Sequence, residues 1–322
     1  MDSLIIPKSV SEELEDVNQK LLAFIGESRF NFLSELLSHI FGSSGKRIRP
    51  TLTLLSSGFN EHRGENVQTM AAAVEMLHIA TLIHDDTVDE SDTRRGRTTI
   101  SKQWGRHTAV LVGDYIFAAS ATYVCKTENV EVIKRFSETI MELASGELEE
   151  TTSSKNLNVT LDQYMNRIYF KTAALFTTAG ESGAILSGAN ENVVSNLKEY
   201  SKYIGLAFQV MDDILDFQGS TKSMGKPVGA DILNGVITLP TIYAMEDHKL
   251  RKKISTLYSQ KFLPELHSEI VEDIRTSDAI NRAYEYATKL CQDALQHLND
   301  LPQNTHKESL EEIPKIILHR ES

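Results

Sequence analysis

The sequence predicts an all-α fold, a single large helical bundle around a central cavity. Three observations carry that expectation. Apolar residues recur at helical spacing along most of the chain, no stretch shows convincing β alternation, and two apolar segments run directly into the same aspartate pattern. The chain has 322 residues, and its composition of 41% hydrophobic and 24% charged residues is ordinary for a globular protein. With no internal repeat and no low-complexity linker, one domain over 1–322 is expected.

Taking the elements in order, Ser9 and Glu12 form a candidate capping box, followed by Val10, Leu14, Val17, Leu21 and Ile25 at helical spacing. Residues 31–41 give a second amphipathic segment that ends in FGSSG. Lys46, Arg47 and Arg49 then stand at the mouth of the next helix, where backbone N–H groups together with Lys46 and Arg49 suit a phosphate. A helix over 70–90 follows, then apolar segments over 106–125 and 130–150, and a polar loop over 151–159. The stretch from Leu161 to Ala189 reads as a helix with Lys171 and Thr172 midway. A lysine among apolar neighbours either snorkels to the surface or meets an anion in a cavity. Residues 191–217 form another long helix, and GSTKSMGKPVGAD after it reads as a flexible flap carrying Lys222 and Lys226. Helical spacing continues from Leu239 to Leu298, and the last twenty residues are expected to be loosely ordered.

The chemistry lies in two carboxylate clusters. On a helix, 100° per residue puts Asp85 and Asp89 about 40° apart with Asp86 on the same flank. Asp212, Asp213 and Asp216 repeat the pattern after FQVM. Crowded like charges cost stability unless cations neutralise them, and an all-oxygen set favours Mg²⁺. Both clusters are expected to hold metal and to face one cavity, with basic groups at Lys46, Arg49, Arg94, Arg95, Lys171 and Lys226 for two anionic groups. The apolar run before each cluster makes the far end of that cavity greasy. A diphosphate head with a hydrocarbon tail fits both ends.

Charge and cysteine content narrow the classes further. The balance of 33 basic against 45 acidic residues, net −12, argues against a nucleic-acid or anionic-membrane surface. Cys125 and Cys291 are the only cysteines and form no CxxC pattern, so neither a disulfide framework nor a zinc site is expected. The most apolar segment, AAAVEMLHIATLI, is interrupted by Glu75 and His78 and is too short to span a bilayer. MDSLIIPKSV is unlike a signal or transit peptide, so a cytoplasmic protein is expected, or a stromal one if the gene is plastid-encoded.

The chain resembles the trans-prenyltransferases, the all-E isoprenyl diphosphate synthases. The resemblance runs through SGKRIRP, HIATLIHDDTVDESDTRRGR, LVGDYIF, FKTA, FQVMDDILDF and GKPVGADILNGVITLP, strongest over 42–240. It implies a helical bundle of isoprenoid synthase type, head-to-tail condensation of isopentenyl diphosphate with an allylic diphosphate, and usually a homodimer. It also implies that Asp85 and Asp89, with Asp86 nearby, bind two Mg²⁺ ions and that Asp212, beside Asp213 and Asp216, binds a third. Lys46, Arg49, His78 and Arg95 match residues that bind isopentenyl diphosphate. Arg94, Lys171, Thr172, Gln209 and Lys226 match those that bind the allylic diphosphate. Small residues at Ala80 and Thr81, where a bulky aromatic would stop growth early, imply a long-chain product of the kind used as a quinone side chain. The alternatives are a short-chain farnesyl or geranylgeranyl synthase, and the catalytic subunit of a heteromeric enzyme. Ser44-Gly45 stands where paired glycines are usual and Val236 where a lysine is common. MDDILDF argues against a terpene cyclase, and retention of all six aspartates against a non-catalytic subunit.

Overall fold

The structure is a computed structural model that describes residues 6–42, 45–60, 64–94, 96–219, 227–259 and 264–320. Helices account for nearly all of its regular structure, as expected. They are α1 (Lys8–Gly26), α2 (Asn31–Phe41), α3 (Ile48–Ser56), α4 (Glu65–Val88), α5 (Ile100–Trp104), α6 (Arg106–Cys125), α7 (Val130–Ser153), α8 (Leu161–Ile168), α9 (Ala174–Leu186) and α10 (Glu191–Gln218). Beyond these come α11 (Ala230–Leu233), α12 (Leu239–Ala244), α13 (His248–Ser259), α14 (Pro264–Thr276), α15 (Ala279–Gln296) and α16 (Thr305–Leu318). A π turn, Tyr169–Ala173, joins α8 to α9. The exception is a short antiparallel hairpin pairing Thr93 with Thr98 and Arg94 with Arg97.

The chain divides into two compact units, one of residues 1–140, 175–201 and 297–313, the other of residues 141–174, 202–296 and 314–322. In the first, α4 is the core helix, with Met70, Ala71, Ala72, Ala73, Val74, Met76 and Leu77 all fully buried. A helix apolar on every side needs neighbours on every side, and α1, α3 and α6 pack on it. Burying a leucine or methionine stabilises by about 1.5–3 kcal/mol, so this helix is rigidly held up to the point where its aspartates begin. One described helix, α6, is long and apolar enough to cross a membrane by length and composition. Its buried Ala109, Val112, Ile116, Ser120 and Tyr123 form one stripe, and α6 packs on α4.

In the second unit α15 presents the stripe read from sequence, with Ile280, Ala283, Ala287, Leu290 and Ala294 all buried. Two local expectations are corrected. Residues 151–153 are not loop but the last turn of α7, where Thr151, Thr152 and Ser153 turn their hydroxyls back onto the carbonyls of Glu147, Glu149 and Glu150. The tail is likewise helical over Thr305–Leu318 despite Pro314. Asn304 caps it by accepting from the N–H groups of His306 and Lys307 at 3.0 and 2.9 Å, and Leu310, Ile313 and Ile317 are buried.

Candidate active site

In the first unit the aspartates sit where α4 ends. Asp85 is part-exposed, Asp86 is buried, and Asp89 is the exposed C-cap, its N–H donating to the Asp85 carbonyl at 2.8 Å. The three carboxylates therefore stand in three environments. Asp86 accepts a forked pair of bonds from Arg94 Nε at 2.7 and 2.9 Å, with a further guanidinium nitrogen 2.7 Å away. Burial pushes the Asp86 carboxyl up, and the Arg94 guanidinium opposes that. The hairpin makes this pairing feasible. Glu90, with φ of 54°, takes the chain out of α4 into the hairpin, and Thr99 ties the return strand to the Ser91 carbonyl at 2.7 Å.

Beside this pair lies a cavity of about 110 Å³ whose walls include Arg47, Glu75, His78, Asp86, Arg94 and Arg97. Arg47, in left-handed backbone at the start of α3, donates to buried Glu75 at 2.6 Å and to Asn18 at 3.2 Å. Of the basic residues expected to bind diphosphate, His78 and Arg94 thus share one cavity. Arg49 carries its guanidinium over the Phe176 ring at 4.4 Å. Lys46 is exposed just before α3. Arg47, Glu75 and Arg97 were not read as site residues, although a glutamate inside AAAVEML was a visible signal. Of the residues proposed to set chain length, Ala80 is fully buried, and Thr81 is part-exposed with its hydroxyl on the His78 carbonyl at 2.8 Å.

In the second unit Lys171 and Thr172 lie on the π turn, a widened turn that re-aims side chains and is common at functional sites. Lys171 Nζ is 2.5 Å from Glu150 and 3.4 Å from Glu147, both on α7. Arg167, buried, is 3.9 Å from the same Glu150 and donates to the Ile237 carbonyl. Thr172 donates to Gln209 at 2.5 Å, Gln209 donates to Asp213 at 2.8 Å, and Tyr164 donates to the other Asp213 oxygen at 2.7 Å.

The second aspartate set also divides its roles. Asp212 is part-exposed and pairs with Arg320 at 2.9 Å. Asp213 is buried, and burial foremost, with Asp231 adding to it, pushes its carboxyl up to about 8 against the hydrogen bonds from Tyr164 and Gln209. Asp216, also buried, takes the N–H of Asp231 on its carboxylate at 3.2 Å and the N–H of Gly229 on its carbonyl at 2.9 Å. Arg95 and Lys226 lie outside the described residues, as does most of the expected flap.

The polyprenyl synthetase family profile matches residues 30–274. The chain belongs to that family. It is a prenyltransferase that condenses isopentenyl diphosphate with an allylic diphosphate. It is 38% identical over 319 residues to solanesyl-diphosphate synthase 2, chloroplastic, of Oryza sativa subsp. japonica, covering 97% of this chain and 78% of that protein. The solved structure of heptaprenyl diphosphate synthase from Staphylococcus aureus is similar with a TM-score of 0.94 and 36% identity, covering 97% of this chain and 99% of the other. A polyprenyl synthase from Caulobacter crescentus, solved with calcium and isoprenyl diphosphate, gives 0.92 and 30%, covering 98% and 97%.

Family membership implies a mechanism that depends on a divalent metal. Among the described residues no group of three or more acidic, histidine or cysteine side chains is arranged to hold an ion. Mg²⁺ is ordinarily bound through one or two carboxylates, water and substrate phosphate rather than by an all-protein cage. In the first unit the part-exposed Asp85 and the exposed Asp89, and in the second the part-exposed Asp212, offer carboxylate oxygens of the kind that fits such an ion.

Proposed function

We propose that this prenyltransferase is a Mg²⁺-dependent synthase of long-chain all-trans polyprenyl diphosphate, a precursor of quinone side chains, acting as a homodimer. Asp85, Asp89 and Asp212 hold the ions. Bound ions supply positive charge for the departing diphosphate, favouring ionisation of the allylic C–O bond. The chain's own groups bind and orient. His78 and Arg94, with Arg47 and Arg97 in the same cavity, supply cationic and donor groups for a diphosphate. Arg94 at the same time keeps the buried Asp86 compensated. Lys171 and Thr172 serve the allylic diphosphate from the π turn, with Glu150 and Glu147 holding the ammonium in place. The isopentenyl double bond attacks the allylic carbon as the diphosphate leaves, and the adduct gives up a proton to that diphosphate, which restores an alkene, so no side-chain nucleophile is required. For the homodimer, α6 leaves Val110 and Leu111 43% and 55% exposed beside the stripe that packs on α4.

The long-chain reading rests on Thr81. It lies one turn before Asp85 and about 40° round α4, a distance of about 6 Å back along the axis on Asp85's own side. Ala80 lies about 140° round from Asp85 and is fully buried, so its small size serves packing within the unit. A growing chain that passes Thr81 meets a small side chain rather than a floor. The test is product analysis with isopentenyl diphosphate, several allylic primers and Mg²⁺. Wild type is expected to give long products and Thr81→Phe shorter ones, with consumption of the first isopentenyl unit retained. Equal chain lengths in the two proteins would overturn the assignment.

A further inference from the structure

Four side chains in the second unit form one hydrogen-bonded ladder. Tyr164 donates to one oxygen of Asp213, Gln209 donates to the other, and Thr172 donates to the Gln209 carbonyl oxygen, at 2.7, 2.8 and 2.5 Å. Gln209 and Asp213 are one turn apart on α10, while Tyr164 and Thr172 lie on the continuous stretch of α8 and the π turn. Two rungs therefore fix the register of the π turn over α10. The bonds also have a direction. Thr172 donates to Gln209 Oε1 and Gln209 donates through Nε2 to Asp213, so the amide turns its NH₂ to Asp213 and its oxygen to Thr172. With that orientation set, Gln209 keeps a second N–H that takes no part in the bond to Asp213.

Tyr164 begins this ladder. Its side chain is 0% exposed, and its hydroxyl is committed to Asp213. A buried phenol and a buried carboxylate add little net stability over a well-packed apolar pair, because each must first be desolvated. What they add is orientation. We propose that Tyr164 is a positioning residue for the allylic diphosphate: through Asp213 it orients the Gln209 amide and, through Gln209, the Thr172 end of the π turn. This rests on the assignment of Lys171, Thr172 and Gln209 to that substrate.

Tyr164→Phe removes one oxygen and keeps the ring. Loss of this buried hydrogen bond is expected to raise the KM for the allylic diphosphate about tenfold, with the KM for isopentenyl diphosphate unchanged. On a Gln209→Ala background the same change should add less than twofold, because the ladder is already cut below it. A purely structural tyrosine would shift both KM values together, or act equally in both backgrounds, and either result overturns the proposal. If Tyr164→Phe does not fold, Asp213→Leu cuts the ladder at the next link, since it leaves neither Tyr164 nor Gln209 an acceptor. It should give the same selective rise, and an unchanged allylic KM would overturn the proposal. Turnover by wild type with both substrates and Mg²⁺ is measured first. Its absence would refute the functional reading itself, whereas normal wild-type turnover with an unselective variant refutes only the role of Tyr164.

Discussion

Gly146 tests whether the π turn is part of the working site. A Cβ at this position would lie 2.9 Å from Phe170 Cβ, 3.0 Å from the Lys171 backbone nitrogen and 3.1 Å from the Phe170 carbonyl carbon. Ordinary contact begins at 3.4 Å, and two of the three atoms are backbone, so α7 and the π turn must separate by 3.4 − 2.9 = 0.5 Å. Overpacking of this size costs about 1–3 kcal/mol. Half an ångström is also about the tolerance of a productive constellation, so Gly146→Ala should lower kcat/KM for the allylic substrate roughly tenfold. The kinetics are read at saturating isopentenyl diphosphate, alongside stability by chemical denaturation. Gly58→Ala is the comparison, because its Cβ would strike the His306 ring at 2.1 Å, away from the described site residues, and should lower stability with kcat/KM unchanged. If Gly146→Ala loses stability but keeps kcat/KM within twofold of wild type, the π turn does not position Lys171 for catalysis.

Two further outcomes follow from the site. Alanine at Lys46 or Arg49 is expected to raise the KM for isopentenyl diphosphate about tenfold or more, and Lys171→Ala the KM for the allylic diphosphate; steady-state kinetics with each substrate varied in turn checks this, and a reversed pattern means the two assignments are exchanged. Burial pushes the Cys291 thiol up to about 12, whereas Cys125 is exposed, so alkylation of the folded protein at pH 8 should label Cys125 and leave Cys291 unmodified by mass spectrometry.

The helices that carry the chemistry were legible because their signal is local. The spacing of apolar residues and the two aspartate patterns placed α4 and α10 within a few residues of their observed ends. The tail helix was not, because Pro314 interrupts its pattern, and its stability comes from burying Leu310, Ile313 and Ile317. The aspartate sets read as two equivalent clusters, yet Asp86 and Asp213 are buried and bonded within the protein while Asp85 and Asp212 are part-exposed. That division depends on partners distant in sequence, Tyr164 for Asp213 and Arg320 for Asp212. Glu150 beside Lys171 and Glu75 beside Arg47 were missed for the same reason, since an acidic residue in a helix becomes informative only once its neighbour across the packing is known. The π turn left no mark in spacing, because one extra residue in a turn shifts periodicity by less than a short window resolves.

Central to the proposed function is that Asp85 and Asp89 at the end of α4, and Asp212 on α10, each serve as ligands of a divalent ion. Asp85→Asn and Asp212→Asn, each shown to be folded by circular dichroism, are the variants to measure for turnover of isopentenyl diphosphate with an allylic primer across a Mg²⁺ titration. Each should lose about 10²–10³-fold in kcat, because a charge stabilising the transition state has been weakened at its ligand, and each should need more Mg²⁺ for half-maximal rate. Near-normal turnover by either folded variant at the wild-type Mg²⁺ requirement would contradict the claim.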